Sequence, residues 1–189
     1  MSAAKEAQLK NAGLEVIRHA GVDRYATAAA VKAATLKALG GKSATTCNAT
    51  GGDFPDALAC AAAAARMGGM VDLVRPGSRV ASDNAAKTTI CAGGAACAGA
   101  GTGVNQVVGS DRYETAYRLA EIMPNTGTVM VANGKSYADS LVAGALAPSL
   151  NASLVLSDSR RVNVPTGTRA AHLFGGRAAL PENLPVFTK

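Results

Sequence analysis

Gly21-Val22-Asp23-Arg24-Tyr25-Ala26-Thr27-Ala28 returns later in the chain as Gly109-Ser110-Asp111-Arg112-Tyr113-Glu114-Thr115-Ala116, with six of eight positions identical at an offset of 88 (111 minus 23). A second block follows. Gly51-Gly52-Asp53-Phe54-Pro55-Asp56-Ala57-Leu58 matches Gly134-Lys135-Ser136-Tyr137-Ala138-Asp139-Ser140-Leu141 at an offset of 83, and that register holds without a gap to Val74 and Ser157. Gly93-Gly94 then matches Gly175-Gly176 at an offset of 82. Offsets that shrink between ordered blocks are short deletions in connecting loops, as expected of one duplicated fold.

Each copy reads as strand, helix, strand, helix, strand. In the first copy, residues 15–20 are expected to form a strand leading to Asp23, an N-cap residue for a helix over 24–39 that Gly40-Gly41 ends. In the second, Asp111 is followed by Glu114 at the N3 position, close to a capping box. Residues 43–49 and 128–132 are short β-prone runs, each leading through a Gly-containing turn into an Ala-rich helix, over about 55–67 and 138–150. Strands follow at 70–74 and 153–156, and again at 88–92 and 171–174. Alternation of this kind implies an α/β protein of two tandem units, each with a mostly parallel sheet and flanking helices. The Gly/Ala-rich stretch 92–103 reads as a linker, which gives an N-terminal helix or extension over 1–12, a first unit over 13–103 and a second over 104–189.

With 48% hydrophobic and 17% charged residues among 189, the chain is globular and not disordered. Aromatics are scarce and Trp is absent, so the core is built from Ala, Val, Leu and Ile. The longest apolar stretch, residues 57–65, is far shorter than the roughly 20 residues a membrane span requires. The opening residues MSAAKEAQLKNAG lack the basic segment and apolar run of a secretory signal. Export by another route, or prior removal of a signal, is the expectation. A net charge of +6 favours an anionic partner. Nucleic acid is the weaker candidate, because the basic residues are not interleaved with aromatics and show no zinc-finger spacing or basic helix.

The Asp-Arg-Tyr-x-Thr-Ala block, the Gly-x-x-aromatic-x-Asp-Ala/Ser-Leu block and the later Gly-Gly, in order and twice over, resemble the cell-wall-binding repeat, type 2, of bacterial surface proteins. The resemblance covers nearly the whole chain from about Ile17 onward. It implies a Rossmann-like, non-catalytic module that attaches proteins to anionic glycopolymers of the Gram-positive wall. Members commonly carry three copies around a pseudo-threefold axis, with ligand grooves between them. Two copies leave surfaces that a third would cover, so a homo-oligomer is expected. The missing signal motivates an alternative, a phage virion structural or decoration protein with the same fold and with capsid or tail partners.

The structural reading of the Asp-Arg-Tyr block is preferred to a catalytic one. Asp23 and Asp111 cap helices, Arg24 and Arg112 are expected to pair with a carboxylate such as Asp56 or Asp139, and Tyr25 and Tyr113 pack their rings. The turns at 50–53 and 133–136 lie at carboxyl ends of strands, where open α/β sheets bind ligands. Gly51, Asp53, Asp56, Gly134, Ser136 and Asp139 are therefore the candidate ligand residues. Arg160 and Arg161 join them, from a basic set (Arg75, Arg79, Lys87, Arg169 and Arg177 besides) suited to bidentate contact with a polyanion.

No glycine fingerprint opens a helix after a strand and no P-loop occurs, so an enzyme acting on a nucleotide or sugar-phosphate rests on fold analogy alone. His19 and His172 are single and expected on strands, and no cofactor or metal is expected. Cys47, Cys60, Cys91 and Cys97 align with apolar Met130, Ala143, Leu173 and Ala179, which favours buried, hydrophobic cysteines over a metal site, with a Cys91 to Cys97 disulfide open in an oxidising compartment.

Overall fold

The structure is a computed structural model, and it describes residues 2–124 and 126–189. A helix α1 (Ala3–Asn11) precedes the first copy, which runs α2 (Arg24–Ala38), β1 (Ser43–Thr50), α3 (Pro55–Arg66), β2 (Met70–Val74), β3 (Ala86–Ala92) and the short α4 (Gly94–Cys97). The second runs β4 (Val104–Val107), α5 (Arg112–Glu121), β5 (Thr128–Asn133), α6 (Tyr137–Leu146), β6 (Ser153–Ser157), β7 (Val162–Val164), β8 (Ala170–Phe174) and β9 (Val186–Thr188). The sheet orders are β2-β1-β3-β4 and β8-β5-β6-β7-β9, parallel throughout except for the β6–β7 pair. Pairing registers repeat between copies, with Thr50 beside Val74 in one and Asn133 beside Ser157 in the other. The α/β class, the parallel sheets and the helix positions follow the sequence reading. The helix expected to reach residue 150 stops at Leu146; Ala147 still has helical angles, but Pro148 next to it has no amide to continue the ladder.

The strand expected at 15–20 does not form, and His19 lies in exposed coil while His172 is on β8. Its second-copy counterpart, β4, is ordered by pairing with β3, so the opening strand of the second copy completes the sheet of the first. Residues 15–20 have no such edge. An isolated strand has no backbone partners to hold it extended.

The two copies share one core. Cys47, Ala59 and Ile90 of the first copy form a single buried cluster with Leu119, Met130, Leu154 and Leu156 of the second. The alanines of α3 (Ala59, Ala62, Ala63 and Ala64 are all buried) let α5 and α6 approach closely, so small side chains here serve helix contact. Arg66, at the end of α3, ties the copies further. Its guanidinium donates to the Ser153 hydroxyl at 2.7 Å, the Pro124 carbonyl at 2.9 Å and the Asn151 side-chain oxygen at 3.1 Å. Equivalent helices fare differently: α5 buries Thr115, Ala116, Tyr117, Leu119 and Ala120, whereas α2 buries none. On α2 the main tether is Lys32, which ion-pairs with Asp72 at 2.9 Å and Asp83 at 2.8 Å. Burial opposes the charge on Lys32, but the two carboxylates prevail and its pKa is raised.

The cysteines are buried, as read from the sequence, and they are also paired. Cys47 on β1 and Cys60 on α3 form a disulfide, Cys91 and Cys97 form another, and no described cysteine is free. The strand-turn-helix path folds back so that Cys47 and Cys60, 13 residues apart, face each other with Cα atoms 5.8 Å apart. The supposed linker is also packed: Ala96 and Cys97 are buried, and Ala100 bridges to Val80.

Candidate functional site: the strand-end turns and the groove between copies

The shared Gly, Asp, Arg, Tyr and Thr of the repeated block each have a structural task, performed twice. Asp23 accepts from the Ala26 amide and Asp111 from the Glu114 amide, both at 2.8 Å, which satisfies helix donors that have no partner in their own turn. The Thr27 and Thr115 hydroxyls accept from the Gly21 and Gly109 amides, both at 3.1 Å, fixing the entry to each helix. In the second copy Glu114 also accepts from the Ser110 amide at 2.7 Å and pairs with Arg118 at 2.7 Å. Those contacts hold its carboxyl down at about 2.

Arg24 donates to the Gly51 carbonyl at 2.7 Å and Arg112 to the Gly134 carbonyl at 3.1 Å, so both arginines hold the strand-end turn and not a helix carboxylate. This corrects the expected pairing with Asp56 or Asp139: the guanidinium meets the turn carbonyl before it reaches the helix beyond. Tyr25 and Tyr113 pack against the same turns. A Cβ on Gly51 would come within 2.5 Å of the Tyr25 ring and one on Gly134 within 2.6 Å of the Tyr113 ring, which is why both turns carry glycine.

From these supports the predicted ligand residues divide into groups. Asp53 and Asp56 meet Arg112 on the boundary between copies, where Arg112 pairs with Asp53 at 2.9 Å. Beside them Phe54 packs edge-on against Tyr137, ring centroids 5.6 Å apart, and the Arg112 guanidinium lies 6.0 Å from the Phe54 centroid. Sequence reasoning missed Phe54 and Tyr137, although the shared aromatic position two before each Asp was visible. Ser136, the counterpart of Asp53, instead caps α6 by accepting from the Asp139 amide at 3.3 Å. Asp139 lies against Gly175 as Asp56 lies against Gly93.

Arg160 and Arg161 stand apart from this group, exposed after β6, with both amides donating to Asp158. Arg161 lines a cleft of about 120 Å³ with Asp111, Tyr113, Asp158 and Lys189. The wider basic set does not share one face. Lys87 and Arg169 sit at the amino ends of β3 and β8, opposite the strand ends that carry Arg75, Arg160 and Arg161. Among the described residues no group of three or more His, Cys, Asp or Glu is placed to hold a metal.

Asp56 is a carboxylate shifted in the opposite direction from Glu114. It sits in the first turn of α3, where the helix dipole favours a charge, yet burial pushes its pKa up to about 6, with Arg112 opposing and Asp53 adding to the rise. Its Oδ1 is buried without a hydrogen-bond partner. A pKa above the unfolded value of 3.8 means that the neutral form supports folding; that support is complete below about pH 4 and lost as pH rises through about 6. Replacing Asp56→Asn is therefore expected to raise stability at pH 7 by about 1 kcal/mol, after allowance for partial exposure, and to change little at pH 4. Thermal melts of both forms across that interval check the sign.

Comparison with known proteins fits this architecture. The family model "Cell wall binding domain 2" matches residues 18–100 and again 106–184. The chain is 32% identical over 175 residues to N-acetylmuramoyl-L-alanine amidase LytC of Bacillus subtilis (strain 168), an alignment that takes in 86% of this chain and 34% of that protein. Its fold is similar to Cwp6 from Clostridium difficile, with a TM-score of 0.74, 20% identity, and coverage of 95% of this chain and 32% of the other. It is similar also to Cwp8 from the same organism, at 0.69 and 19%, covering 92% and 33%. The chain thus spans about a third of the length of each relative. No helix among the described residues is long and apolar enough to cross a membrane. Both copies of the repeat being matched, the chain belongs to the Cell wall binding domain 2 family.

Proposed function

We propose that the chain is a non-catalytic attachment module that binds an anionic glycopolymer of the Gram-positive cell wall, at the cell surface, through its strand-end turns. The observation that carries this reading is the repetition itself. The same Asp-Arg-Tyr block secures the same glycine turn in both copies, and its charged groups are engaged in holding the fold. Beyond β6 two exposed cations remain uncommitted: Arg160 and Arg161 make no side-chain ion pair among the described residues. Guanidinium groups suit phosphate or carboxylate on a polymer, and the net charge of +6 draws such a polymer in. Charge reversal of both (Arg160→Glu, Arg161→Glu) is expected to weaken binding to purified walls by roughly tenfold or more at low salt. Unchanged pelleting with walls would remove these residues from the site.

We further propose that copies of the chain associate through the surfaces the repeat leaves uncovered. Leu119 of α5 and Ala59 of α3 lie together inside the molecule, while their counterparts by register, Val31 and Val142, are 47% and 58% exposed. The outer edge of β8 is also open, with Leu173 60% exposed. Sedimentation equilibrium is expected to show self-association that rises with concentration; monomer alone at millimolar concentration contradicts it.

A further inference from the structure

We propose that the cleft over Tyr113 is a binding site for a guanidinium or primary ammonium group. The first copy shows what such a site holds. There the Arg75 guanidinium stacks on the Tyr25 ring, 4.2 Å from its centroid, and bonds the second oxygen of the capping Asp23 at 2.5 Å. Arg75 is the residue after β2, whose end pairs with the end of β1 and whose Val74 carbonyl accepts from the Gly51 amide at 3.0 Å. The second copy keeps every part of this frame. Tyr113 and Asp111 stand where Tyr25 and Asp23 stand, and the Ser157 carbonyl accepts from the Gly134 amide at 2.9 Å. At the position of Arg75, however, the chain carries Asp158.

That single difference removes the internal cation and adds a carboxylate. The space is open, a cleft of about 120 Å³ lined by Asp111, Tyr113, Asp158, Arg161 and Lys189 among others, against the roughly 30 Å³ that one water occupies in the liquid. Asp111 uses one oxygen for its helix amide and forms no ion pair among the described residues. Asp158 takes two backbone amides on Oδ1, which with the flanking arginines outweigh burial and keep it charged. Glu114 on the same rim is already committed to Ser110 and Arg118. An incoming guanidinium therefore meets an aromatic face between two carboxylates, as Arg75 meets Tyr25 and Asp23. Arg161 and Lys189 also line the cleft, and their positive charge limits a lone cation to millimolar affinity and favours a ligand that carries an anionic group as well.

The site is tested with methylguanidinium chloride added to the chain, followed by NMR shifts of the Tyr113 ring and the Asp158 amide. A saturable millimolar titration is expected, with neutral urea giving none. Asp158→Arg rebuilds the first-copy arrangement, so its own guanidinium fills the cleft and the added cation binds at least roughly tenfold more weakly, with the melting temperature unchanged or raised. Asp158→Asn, which leaves the backbone cap intact, is expected to weaken binding several-fold. Absence of saturation in the unmodified chain up to about 100 mM, equal binding by Asp158→Arg, or equal response to urea overturns the proposal.

Discussion

Truncating Leu119→Ala is expected to destabilise the chain by about 3 to 4 kcal/mol, lowering the melting temperature by on the order of 10 °C. Leu119 is 1% exposed and sits where the copies meet, against Ala59 and Ala63 of α3 and against Met123 and Leu154 of its own copy. The cost of such a change depends on how far the site can collapse. Here one wall is a helix face of alanines whose Cβ atoms are already at the backbone, so nothing on that side can swing inward. Arg66 pins the same helix to the second copy and resists its closing in. The repeat supplies the control. Val31 occupies the same place on α2, 47% exposed, and Val31→Ala is expected to change stability by no more than about 0.5 kcal/mol. Chemical denaturation of both variants separates the two cases, and similar losses would contradict a core shared across the copies.

Loss of the Cys47–Cys60 bridge is expected to cost about 3 kcal/mol, the value for a cross-link closing a loop of roughly 15 residues. Both sulfurs are fully buried, joining β1 to α3. The second copy again offers the comparison, because Met130 and Ala143 hold these places without a bond and are themselves buried. Converting the first copy to that pair, Cys47→Met with Cys60→Ala, keeps the core apolar and removes only the link. The double variant is expected to fold, to melt lower than the oxidised chain, and to lose most of its sensitivity to reductant, leaving that of Cys91–Cys97. Equal melting with and without reductant in the unmodified chain would contradict a stabilising bridge. Disulfides of this kind persist in oxidising surroundings, which accords with the proposed place at the cell surface.

What the sequence made legible was local or repeated. Asp23 and Asp111 could be read as caps because a cap is decided within four residues, and the repeat doubled the evidence. The parallel sheets followed from alternation alone. The order of β8 at one edge and the antiparallel β7 needed the fold. What was hidden depended on contacts across the chain. Residues 15–20 have the β-prone composition of β4 but lack the edge that orders it, and composition cannot report a missing neighbour. Aligning Cys47 and Cys60 with apolar residues pointed to burial correctly but said nothing of their bond, since the distance between them is set by the turn at 50–53. Arg112 was assigned the wrong acceptor for the same reason: its partners, the Gly134 carbonyl and Asp53, come from a later strand and from the other copy.

Attachment to the wall polymer is the central claim, and one measurement addresses it directly. The full chain is mixed with purified Gram-positive walls, intact or chemically stripped of their anionic secondary polymers, and the fraction that pellets is recorded. Binding to intact walls that is lost on stripping, and restored as competition by the released polymer, is the predicted result. Equal pelleting with stripped walls, or none with either, would contradict the account.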